Sequence, residues 1–341
     1  MINHNTSAPI NVTLKITNTC NLNCLHCHSK SGYVPMHMPK QQLKGIVDQL
    51  RAAKVFGINI SGGEPLLYPD FFEIVKYIND TGIRVTISTN AVLVNDSIAK
   101  KMVEVNIKGC HVSLDASTKD IHDKIRNVPG CFDRACRGIQ TLVKNGIPVM
   151  AVTVISSQSP EEYARTIDLA YQLGATAHKT NALMPIGNAT EHLNLLKDKF
   201  LQKHIDVWKE KKEEYKGRME LKAEMGFLMQ IGLEDYYQRN IPDIFNVGCP
   251  AGITTCAILE NAKVALCSFC PDIICGDLKE QSFKQIWEES PVFQKIRKRD
   301  FETCRSCPHN EHCGGCRIRA LFNGDLYGAD PYCWRQCTHE S

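Results

Sequence analysis

Between residues 12 and 184 the chain alternates short β-branched runs with longer stretches of helical spacing. The runs fall at 12–17 (VTLKIT), 57–61 (GINIS), 83–89 (IRVTIST), 109–115 (GCHVSLD), 147–155 (IPVMAVTVI) and 176–184. Helical patterns lie between them at 39–54, 70–81, 95–105, 133–145 and 160–173. Strands joined through helices run parallel, because such a crossover returns the chain to the same end of the sheet. Six strand-then-helix units predict an α/β fold with helices outside a parallel sheet, either a partial barrel or an open sheet. Gly82, Gly146 and Gly174 each fall after a helix and before a strand, as C′ residues do.

In such folds the chemistry gathers beyond the carboxyl ends of the strands. Four candidate stretches sit there: TCNLNCLHC (19–27), SGGEP (61–65), STN (88–90) and SLD (113–115). The first places Cys20, Cys24 and Cys27 in a C-x3-C-x2-C run with no fourth cysteine nearby. A closed structural metal site takes four protein ligands, whereas a reactive one keeps a position open. Two readings follow: zinc completed by His26 or His28, or a [4Fe–4S] cubane with one free iron. The GGEP stretch favours the cubane. Gly62 and Gly63 let backbone approach a ligand, and Glu64 offers an acceptor to an ammonium group.

Charge and hydropathy exclude several classes. Lys plus Arg number 40 against 37 Asp plus Glu, so nothing points to nucleic acid or an anionic membrane. The basic runs at 209–218 and 295–299 read as solvated helix faces. No apolar stretch is long enough to span a bilayer, and the first residues do not resemble a secretory signal. The cysteines therefore read as metal ligands in a reducing cytoplasm, not as disulfides. An electron-transfer protein using its clusters as a wire is the alternative class, but it needs neither an open iron nor GGEP.

From about residue 194 the pattern changes. A charged helix (roughly 194–216) and a mixed segment lead into residues 249–341, which hold 11 of the 17 cysteines. That region reads as too poor in large apolar side chains to fold by burial alone, leaving metal clusters to supply the energy. The expected domains are a core (1–193), a helical linker (194–248) and a cluster-binding domain (249–341). Cys110, Cys131 and Cys136 fall on strand or helix faces and read as core residues.

The cysteine loop with its histidine in the aromatic slot, followed by GGEP, resembles the radical S-adenosylmethionine (SAM) enzymes. That resemblance implies a partial (β/α)6 TIM barrel. It also implies that SAM chelates the free iron through its amino and carboxylate groups, and that reduction cleaves it to a 5′-deoxyadenosyl radical that abstracts hydrogen. Carried over position by position, Gly62, Gly63 and Glu64 hold the methionine amino group. Ser88, Asn90, Ser113 and Asp115 meet the ribose and carboxylate, and Arg126 faces the carboxylate. MPIGN (184–188) resembles the strand-six turn near the adenine, mainly through its backbone.

The C-terminal region resembles the SPASM extension of the same superfamily, which binds two auxiliary [4Fe–4S] clusters and brings the total to three. The resemblance assigns Cys249, Cys256, Cys267 and Cys316 to the first, and Cys304, Cys307, Cys313 and Cys333 to the second. Cys270, Cys275 and Cys337 are left over, and Cys270 could replace Cys267. The usual PDG between the upstream cysteines is ENA (260–262) here. Such enzymes resemble peptide maturases, including those of pyrroloquinoline quinone and mycofactocin, or tetrapyrrole enzymes of haem d1 or alternative haem synthesis. The first reading is post-translational modification of a ribosomally made peptide. The implied partners are an electron donor such as flavodoxin or ferredoxin and, since strand one starts near residue 12, a separate recognition protein for the peptide.

Overall fold

The computed structural model describes residues 6–29, 34–192, 198–224 and 247–333. Among these residues one sheet carries ten strands, in the order β10-β9-β8-β1-β2-β3-β4-β5-β6-β7. They are β1 (Asn11–Thr17), β2 (Gly57–Gly62), β3 (Arg84–Thr89), β4 (Cys110–Ser113), β5 (Val149–Ile155), β6 (Ala177–Ala182), β7 (Glu220–Ala223), β8 (Thr255–Ile258), β9 (Lys263–Cys267) and β10 (Cys270–Asp277). β1 to β7 pair in chain order, all parallel. This is the partial barrel.

Helices α1 (Lys40–Ala52), α2 (Phe71–Asp80), α3 (Asp96–Glu104), α4 (Lys119–Arg126), α5 (Cys131–Lys144) and α6 (Pro160–Gln172) run between the strands. α2 shows why they form: Phe71, Ile74, Val75 and Ile78 make one buried stripe at helical spacing. α6 begins on Ser159, whose hydroxyl accepts from the Glu162 N–H, with Pro160 at the first helical position. In β5 burial alternates strictly. Val149, Ala151, Thr153 and Ile155 pack outward, while Met150, Val152 and Val154 face the barrel interior.

Two elements escaped the sequence pattern. α4 is mostly charged (KDIHDKIR), and its buried stripe is His122, Ile125 and Arg126, so no apolar period marks it. β7 is only four residues, ELKA, and adds a seventh parallel strand to the six expected. It follows α7 (Asp198–Glu214), which matches the expected charged helix. Of the expected linker, 194–197 and 225–246 lie outside the described residues, as does Cys337.

The C-terminal region is built onto the barrel sheet. β8 pairs parallel with the free edge of β1, and β9 and β10 continue antiparallel. It also has a larger apolar core than its composition suggested. Helices Phe283–Glu289 and Pro291–Lys298 bury Phe283, Trp287, Phe293 and Ile296, joined by Phe301. Nor is the basic run at 295–299 all solvated. Arg297 is buried across the Trp287 ring, donating Nε to Gly252 O at 2.9 Å and Nη1 to Trp287 O at 2.8 Å. Arg299 is buried as well. Ala262, in the ENA stretch, has φ +71, the left-handed conformation that glycine adopts freely.

Candidate active site

The cysteine loop leaves β1 at the barrel mouth and is held from three sides. Gly63 N donates to Thr17 O and Glu64 N to Thr19 O, each at 2.8 Å. A Cβ on Gly63 would stand 2.3 Å from Thr19 O, so only glycine lets the two backbones meet. From α4's end, Ile125 O accepts from Leu25 N at 3.0 Å. From the turn after β6, Asn188 donates its N–H to Cys27 O at 2.9 Å and its Nδ2 to Cys24 O at 3.1 Å. MPIGN therefore braces the cysteine loop, a role the sequence reading missed. The clue was Gly187, whose φ is +63 and whose Cβ would lie 2.2 Å from Cys27 O.

Cys20, Cys24 and Cys27 open onto one cavity of about 730 Å³, shared with Gly62, Gly63, Ser88, Asn90, Ser113 and Arg126. Burial pushes the Cys20 thiol up to about 12 and raises Cys24 too, the latter opposed by Arg126. Such thiols give up their protons only to a metal that replaces them. Among the described residues no three His, Cys, Asp or Glu side chains close around a single ion. A cubane does not require it, since each of its thiolates binds a different iron corner.

Glu64 and Asp115 stand behind the cavity wall, both fully buried. The Glu64 carboxylate does not present itself as an acceptor to the cavity. It accepts from Thr89 Oγ1 at 2.7 Å, Asn90 N at 2.8 Å and Leu66 N at 3.3 Å, tying the β3 end to the GGEP turn. Burial pushes it up to about 7 despite these donors. Asp115 lies 2.5 Å from Arg126 Nη2 and accepts from Val154 N at 3.0 Å. Burial alone would raise it, but Arg126 and then His26 hold it below the usual carboxylate range.

Arg126 links both halves of the site. Its Nη1 donates toward Cys24 Sγ at 3.6 Å, its Nη2 meets Asp115, and its buried Nε has no hydrogen-bond partner among the described residues. That unmatched donor beside the thiols fits the carboxylate of SAM. Of the other expected residues, Ser88 is tied to Asn59 at 2.9 Å and Asn90 to Asn21 at 2.8 Å, both on the wall. Burial pulls His26 down to about 4 and His28 to about 3, so both are neutral near pH 7. Among the described residues no Asp or Glu lines the cavity, while Arg84, Arg126 and Lys179 do.

In the C-terminal region the two cysteine blocks interleave. Gly248 passes so close to the second block that a Cβ there would lie 2.3 Å from His312 O. Cys249 comes within electrostatic reach of Cys267 and Cys316, and Cys313 within reach of Cys333. Cys304 and Cys307 sit on one turn, joined by Cys307 N to Cys304 O at 3.0 Å. Cys256 is not brought to Cys267. It lies beside Cys275 and Arg297.

Residues 14–170 match the family described as the radical SAM superfamily, and 249–308 match SPASM, an iron-sulfur cluster-binding domain. An AdoMet-dependent heme synthase of Methanosarcina barkeri is 32% identical over 96% of this chain and 97% of its own length. Mycofactocin maturase MftC of Mycobacterium tuberculosis is 32% identical over 96% of this chain and 83% of its own. The fold is shared with Streptococcus suis SuiB, solved with its precursor peptide SuiA. The TM-score is 0.80 at 18% identity, covering 97% of this chain and 77% of that one. The chain belongs to the radical SAM superfamily and carries its SPASM extension, which makes it an enzyme. A [4Fe–4S] cluster and SAM supply the radical chemistry of that family.

Proposed function

We propose that Cys20, Cys24 and Cys27 hold the [4Fe–4S] cluster, leave its fourth corner to SAM, and serve hydrogen abstraction in the modification of a ribosomally made peptide. The observation that carries this reading is the single cavity of about 730 Å³ on which the three thiols, Gly62, Gly63 and Arg126 converge. Ligand pockets span roughly 300–1,000 Å³, so a cavity of this size accommodates SAM with part of a substrate beside it. In this site the Gly62–Gly63 backbone and the Arg126 Nε–H would receive the amino and carboxylate groups of SAM. Ser88, Asn90 and Ser113 would meet its remaining polar groups. Glu64 and Asp115 would act behind them, fixing Asn90 and Arg126.

Two auxiliary clusters in the SPASM region would bring the total to three, the second on Cys304, Cys307, Cys313 and Cys333. An electron donor such as flavodoxin or ferredoxin and a separate peptide-recognition protein would complete the system, in the cytoplasm. A tetrapyrrole substrate is the second reading, favoured by the heme synthase that matches over 97% of its length. The test supplies SAM and dithionite anaerobically, with precursor-like peptides in one arm and carboxylated tetrapyrroles in the other. A peptide that raises 5′-deoxyadenosine formation and itself changes mass is the expected result. Stimulation by a tetrapyrrole alone would move the conclusion to the second reading, and no SAM cleavage in either arm would remove both.

A further inference from the structure

Sheet parity decides which thiols can share the first auxiliary cluster. In β8, Cys256 lies opposite Val12 of β1 and Ile258 opposite Leu14. Val12 and Leu14 are the fully buried, helix-covered positions of β1, whereas Asn11 and Thr13 face the cavity. Cys256 is therefore on the outer face. Across the next ladder Ala257 lies opposite Ala265, and Ile258 opposite Val264. Counting by twos from Ala265 puts Cys267 on the face of Ala257, the reverse of the face that holds Cys256. One cubane cannot be reached from both sides of the sheet.

The neighbours agree. Cys256 belongs to the main apolar core with Cys275, beside Arg297. Cys267 pairs directly with Cys270 across the β9–β10 hairpin. Cys267, Cys270 and Cys316 pack in one cluster with Met184 and Ile318. Cys249 completes the group through its reach to Cys267 and Cys316.

We infer that the first auxiliary cluster is held by Cys249, Cys267, Cys270 and Cys316, with Cys270 in the place that the family resemblance assigns to Cys256. The inference rests on the reading that the SPASM region binds a four-iron cluster here. Binding takes four thiolates, one for each iron, and releases their protons. It also has a functional consequence. Ser268 and Phe269, at the tip of the same hairpin, line the substrate cavity, and Phe269 meets the His28 ring of the cysteine loop with centroids 4.9 Å apart. A cluster on Cys267 and Cys270 stands directly behind the cavity wall, where one drawn through Cys256 could not.

The test counts iron and sulfide in anaerobically reconstituted full-length variants. Three thiolates can retain a cubane, so the comparison starts from Cys249→Ala. Adding Cys270→Ala should remove about four further irons, while adding Cys256→Ala should remove none. Single Cys270→Ser and Cys256→Ser variants give a second readout that tolerates small losses of stability. The reduced paramagnetic resonance spectrum should shift in Cys270→Ser and stay unchanged in Cys256→Ser. Loss of iron or a shifted spectrum with the Cys256 variants, and not with those of Cys270, would overturn the assignment. A Cys249→Ala, Cys267→Ala, Cys316→Ala variant that kept all its iron would instead refute the cluster reading of this region, whatever Cys270 did.

Discussion

Replacing Gly187 with Ala is expected to damage the N-terminal cluster site from outside it. The added Cβ would stand 2.2 Å from Cys27 O and 2.8 Å from His28 backbone carbon, with φ at +63. Both obstacles are main chain, so no side-chain rotation relieves them. Reaching ordinary contact, 3.4 Å, requires the cysteine loop to move by about 1.2 Å. A left-handed alanine costs roughly 1–2 kcal/mol, and the displaced Asn188 N–H to Cys27 O bond adds about 1 kcal/mol. A penalty of about 2–3 kcal/mol against the binding-competent loop corresponds to a loss of roughly 30- to 150-fold in SAM affinity. Gly217→Ala supplies the control: its φ is +76, but nothing lies within 4 Å of the new Cβ. The assay is SAM titration of the reduced, reconstituted protein, followed by the paramagnetic resonance change of the N-terminal cluster. Gly187→Ala should bind at least tenfold more weakly while Gly217→Ala binds normally. Equal affinity in the two variants would refute the brace.

Glu64 titrates near 7 in the fold against an ordinary 4.5, so the folded chain holds that proton more tightly. Its contribution, about 3 kcal/mol, is full below about pH 4.5 and is lost as pH rises through about 7. Glu64→Gln should flatten that fall, followed as denaturant midpoints across the window; an identical slope in both proteins would contradict the burial argument. Asp115→Asn leaves Arg126 buried without its counter-charge and should cost about 3–5 kcal/mol, read as a lower denaturant midpoint; an unchanged midpoint would show the pair to be dispensable. Cys304→Ala with Cys307→Ala should leave 5′-deoxyadenosine formation intact and abolish product, whereas normal product from a folded variant would reduce the second auxiliary cluster to a structural role.

The barrel was legible because its strands and most of its helices bury simple apolar periods, as β5 and α2 do. α4 was not, because its buried face joins only one apolar residue, Ile125, to His122 and Arg126. Strand-end position brought the three N-terminal cysteines and the glycines to one rim, and they line one cavity; Arg126, which lines it too, was marked only by the family resemblance. Position could not show where Glu64 points, since direction depends on the β3 turn folding back over it. The same limit applies to Cys256 and Cys270. Residue counts carry no record of which sheet face a thiol occupies until the β1–β8 and β8–β9 registers are known. The core around Trp287 was overlooked because Phe283, Trp287, Phe293 and Phe301 sit among charged residues, in the cysteine-free span between the two cysteine blocks.

The decisive measurement compares the wild-type chain with a Cys20→Ala, Cys24→Ala, Cys27→Ala variant for iron content and for SAM cleavage under dithionite. Wild type should reconstitute to about 12 irons and 12 sulfides per chain and yield methionine and 5′-deoxyadenosine. The variant should keep about eight irons, all in the C-terminal region, and yield no 5′-deoxyadenosine. A triple variant that still cleaved SAM would contradict the assignment of the reactive cluster to this loop.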